Sequence, residues 1–240
     1  MRLNKFLSEA GICSRREADR LILNGEITVN GKLALVGMQV TKGDEVCYQG
    51  QPIIKEDKKV LLVFNKPRGI VCTAEKREKN NIIDYINYPV RIYPVGRLDK
   101  DSEGLLLLTN QGDLVNKIMR AGNFHEKQYV VRVDNKITAK FLEKMRKGIP
   151  ILDTVTRACQ VTQVDDYTFN IILTQGLNRQ IRRMCNYLGY EVRELKRIRV
   201  MNFELGKLIA GQYREATIAE IRALDEALKG STSLPWSERN

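Results

Sequence analysis

Between Arg91 and Gly112 the chain reads RIYPVGRLDKDSEGLLLLTNQG, and no other stretch restricts the fold so tightly. Arg91 to Val95 alternates enough to predict a strand, and the apolar run Leu105 to Leu108 predicts a buried one. Gly96 and Gly104 bracket what lies between, the charged stretch Arg97-Leu98-Asp99-Lys100-Asp101-Ser102-Glu103. Core strands on either side would hold such a loop rigidly over a groove, where a carboxylate is most useful. A solvated turn would carry the same charges, so the rest of the chain has to decide.

At 240 residues with 43% hydrophobic residues, the chain is long enough for one large core or two unequal ones. Forty Lys and Arg against 29 Asp and Glu leave a net charge of +11, which favours polyanions as partners. The five cysteines (Cys13, Cys47, Cys72, Cys159, Cys185) stand singly, so neither a zinc site nor a disulfide framework is expected, and a reduced, cytoplasmic protein is. No apolar run approaches the ~20 residues of a membrane span. The N-terminal MRLNKFLSEAG has no signal-like apolar region. The only histidine, His125, leaves no multi-histidine metal site and makes a Ser-His-Asp mechanism a poor fit. Any chemistry therefore falls to carboxylate, Tyr, Lys or Arg.

Residues 1–50 read as a unit of their own. Leu3, Phe6, Leu7 and Ala10 recur at helical spacing up to Gly11. Ser14 and Glu17 then form an S-x-x-E signal for a second helix that turns Ala18, Leu21 and Ile22 inward and stops at Gly25. Ile27 to Val29 predicts a strand, Asn30-Gly31 a tight turn, and Glu45 to Tyr48 another strand. Arg2, Lys5, Arg15, Arg16 and Arg20 make the two helices basic, as a solvated face or an RNA contact would be. The polar 51–59, with Pro52, reads as a linker that would let two domains grip one folded RNA.

The larger unit, 60–229, opens with a buried strand from Val60 to Asn65 and a turn at Lys66-Pro67-Arg68-Gly69. Asn81 to Ile86 predicts a brief helix, Asp113 opens a longer one, Gln128 to Val133 predicts a strand carrying Tyr129, and Thr138 caps a helix running to Lys147. Val155 to Val164 and Thr168 to Leu173 predict a hairpin pair around Asp165-Asp166. Strands and helices alternate without a regular βαβ repeat, which argues for an α+β fold built on a mixed, largely antiparallel sheet. The 230–240 tail, with Trp236, is expected to be flexible.

Gly176 to Arg199 is the second informative stretch. With Asn178 as N-cap, Ile181, Met184, Cys185 and Leu188 share one helical face, and Arg179, Arg182, Arg183 and Asn186 lie roughly opposite it. Arg193, Lys196, Arg197 and Arg199 follow, against only Glu191 and Glu194. Phosphate is the partner that relieves such density.

Several of these blocks resemble known families. RLNKFLSEAG, SRREADRLI, G-x-x-x-V-N-G and K-G-D-x-V resemble the S4 module, a small helix-rich, αL-like RNA-binding domain. GRLDKDSEGLLLLTN and N-R-Q-I-R-R-M resemble the catalytic and arginine motifs of RsuA-like pseudouridine synthases, whose usual layout is an S4 module followed by this catalytic unit. AGNFHEKQYVV, GIPILDTVT and QGLNRQIRRMC resemble members of that branch acting on large-subunit ribosomal RNA. The resemblance implies isomerisation of a uridine in structured RNA, with large-subunit rRNA as the substrate and tRNA as a candidate second one, by a monomer without cofactor, metal or membrane. It also implies roles for particular side chains. Asp99 would be the catalytic aspartate, Arg97 would fill the gap left by the everted base, Tyr129 would stack on that base, and Arg182 would pair with Asp99. Arg2, Lys5, Arg15, Arg16, Arg20, Arg179 and Arg183 are the expected RNA contacts. Asp101 reads as a residue that shapes the loop. Two alternatives remain open from the residues alone: an RNA-binding or ribosome-assembly protein without chemistry, and a metal-dependent nuclease built on Asp99 and Asp101.

Overall fold

The structure is a computed structural model that describes residues 1–54 and 58–231. Part of the expected linker, and the tail from Thr232 onward with Trp236, lie outside the described residues. The chain forms two compact units, the first Met1–Lys59 with Tyr88–Arg91, the second the remainder.

In the first unit, α1 (Leu3–Glu9) and α2 (Arg15–Leu23) pack on a four-stranded antiparallel sheet of β1 (Ile27–Val29), β2 (Lys32–Leu33), β3 (Val46–Tyr48) and β4 (Gln51–Pro52), in the order β2-β1-β3-β4. Leu3, Leu7, Ala18, Ile22, Ile27, Val29 and Val46 form its core. The Ser14 side chain accepts the Glu17 N–H at 3.2 Å, which caps α2. Asn30 and Gly31 both take positive φ, +51° and +77°, the backbone that a two-residue hairpin between β1 and β2 demands. The Asn30 side chain also donates to Asp44 and accepts the Glu45 N–H, tying the turn to the approach to β3. Two strands escape the sequence pattern, because two residues are too few to show alternation. One of them corrects the linker: Gln51 and Pro52 pair with Tyr48 and Cys47. Pro is tolerated there because β4 is an edge strand and needs no further donor.

The second unit is a nine-stranded mixed sheet. Its elements in chain order are β5 (Leu61–Lys66), α3 (Ile82–Ile86), β6 (Tyr93–Pro94), β7 (Glu103–Thr109), α4 (Gly112–Met119), β8 (Lys127–Val133) and α5 (Ala139–Lys147). A separate small hairpin of β9 (Pro150–Ile151) and β10 (Thr154–Val155) follows, then β11 (Gln160–Gln163), β12 (Thr168–Leu173), α6 (Gln180–Tyr187), β13 (Val192–Val200), β14 (Phe203–Glu204), β15 (Tyr213–Glu215) and α7 (Ile218–Ala227). The sheet order is β11-β12-β8-β13-β7-β5-β15, with β6 beside β7 and β14 beside β13. Every pairing is antiparallel except β13 with β7. Helices α5 and α6 cover one core around Val131, Phe169, Ile171 and Leu195. Helices α4 and α7 cover a second around Val63, Leu105, Leu107 and Phe203. Helix α7 begins with a full capping box between Thr217 and Glu220.

The expected strand Val155–Val164 is split: its start belongs to the β9–β10 hairpin, and only Gln160–Gln163 pairs with β12. Arg91–Val95 shortens to the two residues of β6. Among the described residues no helix is long and apolar enough to cross a membrane, and all five cysteines are free.

The parallel pairing of β7 with β13 fixes where the Asp99 loop enters the sheet. Glu103 and Gly104 of β7 lie opposite Lys196 and Arg197 of β13. Gly104 has φ +105°, and a Cβ there would stand 2.2 Å from the Arg197 carbonyl oxygen. Only glycine lets the strands approach this closely. Gly104→Ala is expected to lower stability by at least ~2 kcal/mol in chemical denaturation. Gly112→Ala, where a methyl group meets open space at the start of α4, should leave stability unchanged or raise it.

Candidate active site

Strands β5, β6 and β7 set the Asp99 loop in place before any charge is considered. The Ser102 N–H donates to the Asp99 carbonyl at 3.1 Å, closing a turn, and the Gly69 N–H donates to the Lys100 carbonyl at 2.7 Å. The Leu98 N–H points to Cys72 Sγ at 3.4 Å. At the end of the fully buried β5, Lys66 sends its ammonium under the loop. Its Nζ donates to the carbonyls of Pro67 at 3.0 Å, Asp99 at 3.2 Å and Ser102 at 2.8 Å. Those bonds use all three ammonium donors. Burial pushes the Lys66 pKa below the ordinary lysine value, while nearby Cys72, Asp101, Asp99 and Glu103 oppose that shift.

The loop's two aspartates face the start of α6. Arg179 lies just outside the helix in a left-handed conformation, φ +49°, so α6 starts at Gln180 and the expected N-cap, Asn178, does not cap it. The Gln180 side chain, almost fully buried, accepts the Leu177 N–H at 3.1 Å and closes the turn instead. Asn178 accepts from the Arg183 guanidinium through both its carbonyl and Oδ1.

From its position ahead of the helix, Arg179 reaches both acids. It forms an ion pair with Asp99 Oδ2 at 3.6 Å and a two-pronged hydrogen bond with Asp101, 3.2 Å on each arm. Arg182, expected opposite Asp99, pairs with Asp101 instead, at 3.4 Å to Oδ2 and 3.1 Å to the main-chain carbonyl. It also donates to Ser102 Oγ at 3.3 Å and to the Val192 carbonyl at 3.2 Å. The expected Asp99 pairing therefore falls to the arginine one turn earlier. Arg182 is a largely buried brace between loop, helix and β13, and its Nε is buried without a partner among the described residues.

Asp99, Arg97 and Tyr129 line one cleft of about 230 Å³, together with Gln175, Leu177 and Arg179. Tyr129 comes from β8 and is half-buried, Arg97 is exposed, and the Asp99 side chain keeps 32% of its surface in solvent. A second, open groove of about 630 Å³ is lined by Arg68, Arg179, Arg182, Arg183 and Arg193, with Asp101 and Glu191 among them. Arg179 belongs to both. Burial works against the charge of Asp101, but the Arg179 hydrogen bonds and the fields of Arg182 and Arg179 prevail and hold it below the usual aspartate value.

Two cations are interior, one of them, Arg197, within the run that the sequence assigns to phosphate. Arg197 is 2% exposed and donates through Nε to the Leu105 carbonyl at 2.7 Å, its Nη2 having no partner among the described residues. Lys127, at the start of β8, is buried too; desolvation, and then the charge of Arg197, bring its pKa down to about 8. Lys66 and Arg68, which the sequence places only in a turn, and Gly104, which it places only as a bracket of the loop, are the other contributors. The available signal for Lys66 is a lysine that, after Asn65, ends a strand begun by the apolar run Leu61 to Phe64.

Of the remaining sequence candidates, Arg2, Arg15, Arg16 and Arg20 are exposed on or beside α1 and α2, while half-buried Lys5 pairs with Glu9 at 3.7 Å. Arg20 pairs with Glu17 at 3.1 Å within α2. His125 shares a hydrogen bond with Ser231 Oγ at 2.8 Å. Among the described residues no group of three or more His, Cys, Asp or Glu side chains is placed to hold a metal ion.

A carboxylate bordering a cleft with a tyrosine and two arginines, beside an arginine-lined groove, is suited to a nucleotide within a polyanion. Residues 60–187 match the RNA pseudouridylate synthase family, and residues 1–46 match the S4 domain. The chain belongs to the RsuA-like pseudouridine synthases that carry an S4 domain, enzymes that isomerise uridine to pseudouridine in RNA. Among its relatives, the dual-specificity RNA pseudouridine synthase RluF of Salmonella typhi is 53% identical, covering 97% of this chain and 81% of that protein. RluF of Escherichia coli K12 is 52% identical with the same coverage. The ribosomal large subunit pseudouridine synthase B of Bacillus subtilis is 37% identical over 93% of this chain and 95% of its own. A crystal structure of a pseudouridylate synthase superposes with a TM-score of 0.69 at 28% identity, covering 93% of this chain and 99% of the other.

Asp101 contributes stability while it is ionised, so its lowered pKa carries a pH signature. Asp101→Asn should cost no more than ~1 kcal/mol at neutral pH, since half the side chain is in solvent. The gap between variant and parent should close as pH falls from the ordinary aspartate value of 3.8 through the lowered one, as followed by urea melts across that range.

Proposed function

We propose that Asp99 is the catalytic carboxylate and that its substrate is a uridine in large-subunit ribosomal RNA, with tRNA as a second substrate. The observation that carries this reading is the placement of Asp99: a partly exposed carboxylate, ion-paired to Arg179, on the same cleft as Tyr129 and Arg97. Isomerisation exchanges the N1–C1′ bond for a C5–C1′ bond, loses the proton at C5 and gains one at N1. The net reaction needs neither an oxidant nor a second substrate. An ionised carboxylate acts on the ribose either as nucleophile or as base, and both fit a side chain that borders the cleft.

Extruding a base from a stem costs a few kcal/mol. In this proposal Tyr129 stacks on the everted uracil, returning ~1–3 kcal/mol, and the exposed Arg97 enters the gap in the stem. Arg182 supports the site through Asp101 and Ser102, with Arg179 the direct partner of Asp99. Arg179 and Arg183 meet the RNA backbone along the arginine groove. Arg2, Lys5, Arg15, Arg16 and Arg20 supply the S4 module's phosphate contacts. The rRNA assignment draws on the names of the relatives, one of which is a ribosomal large subunit synthase. The second substrate draws on the dual specificity of RluF. The enzyme works in the cytoplasm as a monomer.

Asp99→Asn should cut pseudouridine formation by ~10³-fold or more while RNA affinity stays near that of the parent. Carbodiimide mapping of rRNA and tRNA from cells with and without the gene identifies the target. Near-normal turnover by Asp99→Asn would remove the catalytic assignment. A pseudouridine missing only from small-subunit rRNA would remove the substrate assignment.

A further inference from the structure

Phe124 is an aromatic side chain held out into solvent on a strained backbone. It ends the short 3-10 turn Ala121–Asn123 at φ +56° and ψ +27°, a left-handed conformation that bulky residues seldom adopt, and 58% of its surface is exposed. Core packing gives no reason for the ring, and glycine would take this backbone without strain. What holds the ring is Arg157, whose guanidinium carbon lies 4.3 Å from the ring centroid. Arg157 is itself fixed to the same turn by Nη1, which donates to the Ala121 carbonyl at 2.8 Å.

The main chain of Arg157 touches one wall residue of the Asp99 cleft. The Arg157 N–H donates to Gln175 Oε1 at 3.1 Å, and Gln175, 9% exposed, lines that cleft. Phe124 lies three residues ahead of Lys127, where β8 begins, and Tyr129 of β8 lines the cleft as well.

We propose that the Phe124 ring, backed by Arg157, is a stacking platform for an unpaired nucleobase next to the reacting uridine. Everting a uridine breaks a stack and leaves its neighbours without a face to lie on, which a solvent-facing ring supplies. The occupant is a nucleobase because the platform is a single ring beside a fixed cation, not an apolar groove. A nucleotide brings both a π face for the ring and a phosphate that the guanidinium attracts. Tyr129 and Phe124 then have separate tasks, the first for the base that reacts and the second for one that does not. The inference rests on the cleft at Asp99 as the uridine site, but not on which residue performs the chemistry.

The test is an RNA stem-loop containing the mapped target uridine, with 2-aminopurine placed in turn at each flanking position. Bound to the parent protein, one flanking position should show quenched emission, and Phe124→Trp should keep that quenching. Phe124→Gly should lose it and bind the RNA about 5- to 150-fold more weakly, which is ~1–3 kcal/mol for one stacked base. The same variant should melt no lower than the parent, because glycine relieves the left-handed backbone. Equal emission and affinity for parent and Phe124→Gly would overturn the proposal. A clear drop in melting temperature would also overturn it, by making the ring a packing residue. Binding and emission need no turnover, so a failure of the Asp99 assignment would appear in the rate of isomerisation and leave this comparison intact.

Discussion

One buried ammonium organises the second unit's functional end. Lys66 is completely enclosed, and its three donors are spent on main-chain carbonyls of Pro67, Asp99 and Ser102. A buried charge is costly to desolvate, and it survives here because three carbonyl dipoles converge on it. The same bonds oblige the loop to keep those carbonyls pointing inward. With the Asp99 carbonyl turned down to the lysine, the loop is fixed at the residue whose carboxylate borders the cleft. The charge is thus better understood as a constraint on geometry than as a source of stability.

The other parts of the site extend that constraint sideways. Gly104 lets β7 approach β13 until no side chain fits between them, which seats the end of the loop against the central strand. Arg182 ties the loop to the Val192 carbonyl at the start of that strand, and Arg179 spans Asp99 and Asp101. The result is two surfaces of different chemistry. The small cleft has one carboxylate and an aromatic ring, as a nucleoside requires, and the wide groove presents guanidinium groups, as a phosphate chain requires. Arg179 lines both and is ion-paired to Asp99.

Much of this was legible in the sequence where local chemistry is strong. The S-x-x-E start at Ser14, the Asn30-Gly31 turn, the Thr138 cap and the apolar run of β7 each state their own structure, because the signal and the element occupy the same few residues. The longest strand, β13, was not legible. Its interior positions include Arg197, so an inward arginine hides the period-2 pattern, and the strand reads as one dense block of charge. The order of Arg179 and Arg182 was not legible either. Both follow the same loop turn in sequence, and only the left-handed backbone at Arg179 decides which one meets Asp99. Lys66 lies 33 residues from Asp99, and nothing local in Lys66-Pro67-Arg68-Gly69 announces a partner so far along the chain.

The account stands or falls on whether Lys66 positions Asp99. The direct measurement is single-turnover isomerisation by Lys66→Met, at saturating enzyme, alongside hydrogen exchange of the amides from Leu98 to Ser102. Loss of the ammonium leaves three inward carbonyls unsatisfied. The rate should fall at least ~tenfold, the amount that ~1.4 kcal/mol of misplacement represents, and the Ser102 amide should exchange faster while those of β8 do not. A Lys66→Met protein that turns over at the parent rate with unchanged exchange in the loop would contradict the claim.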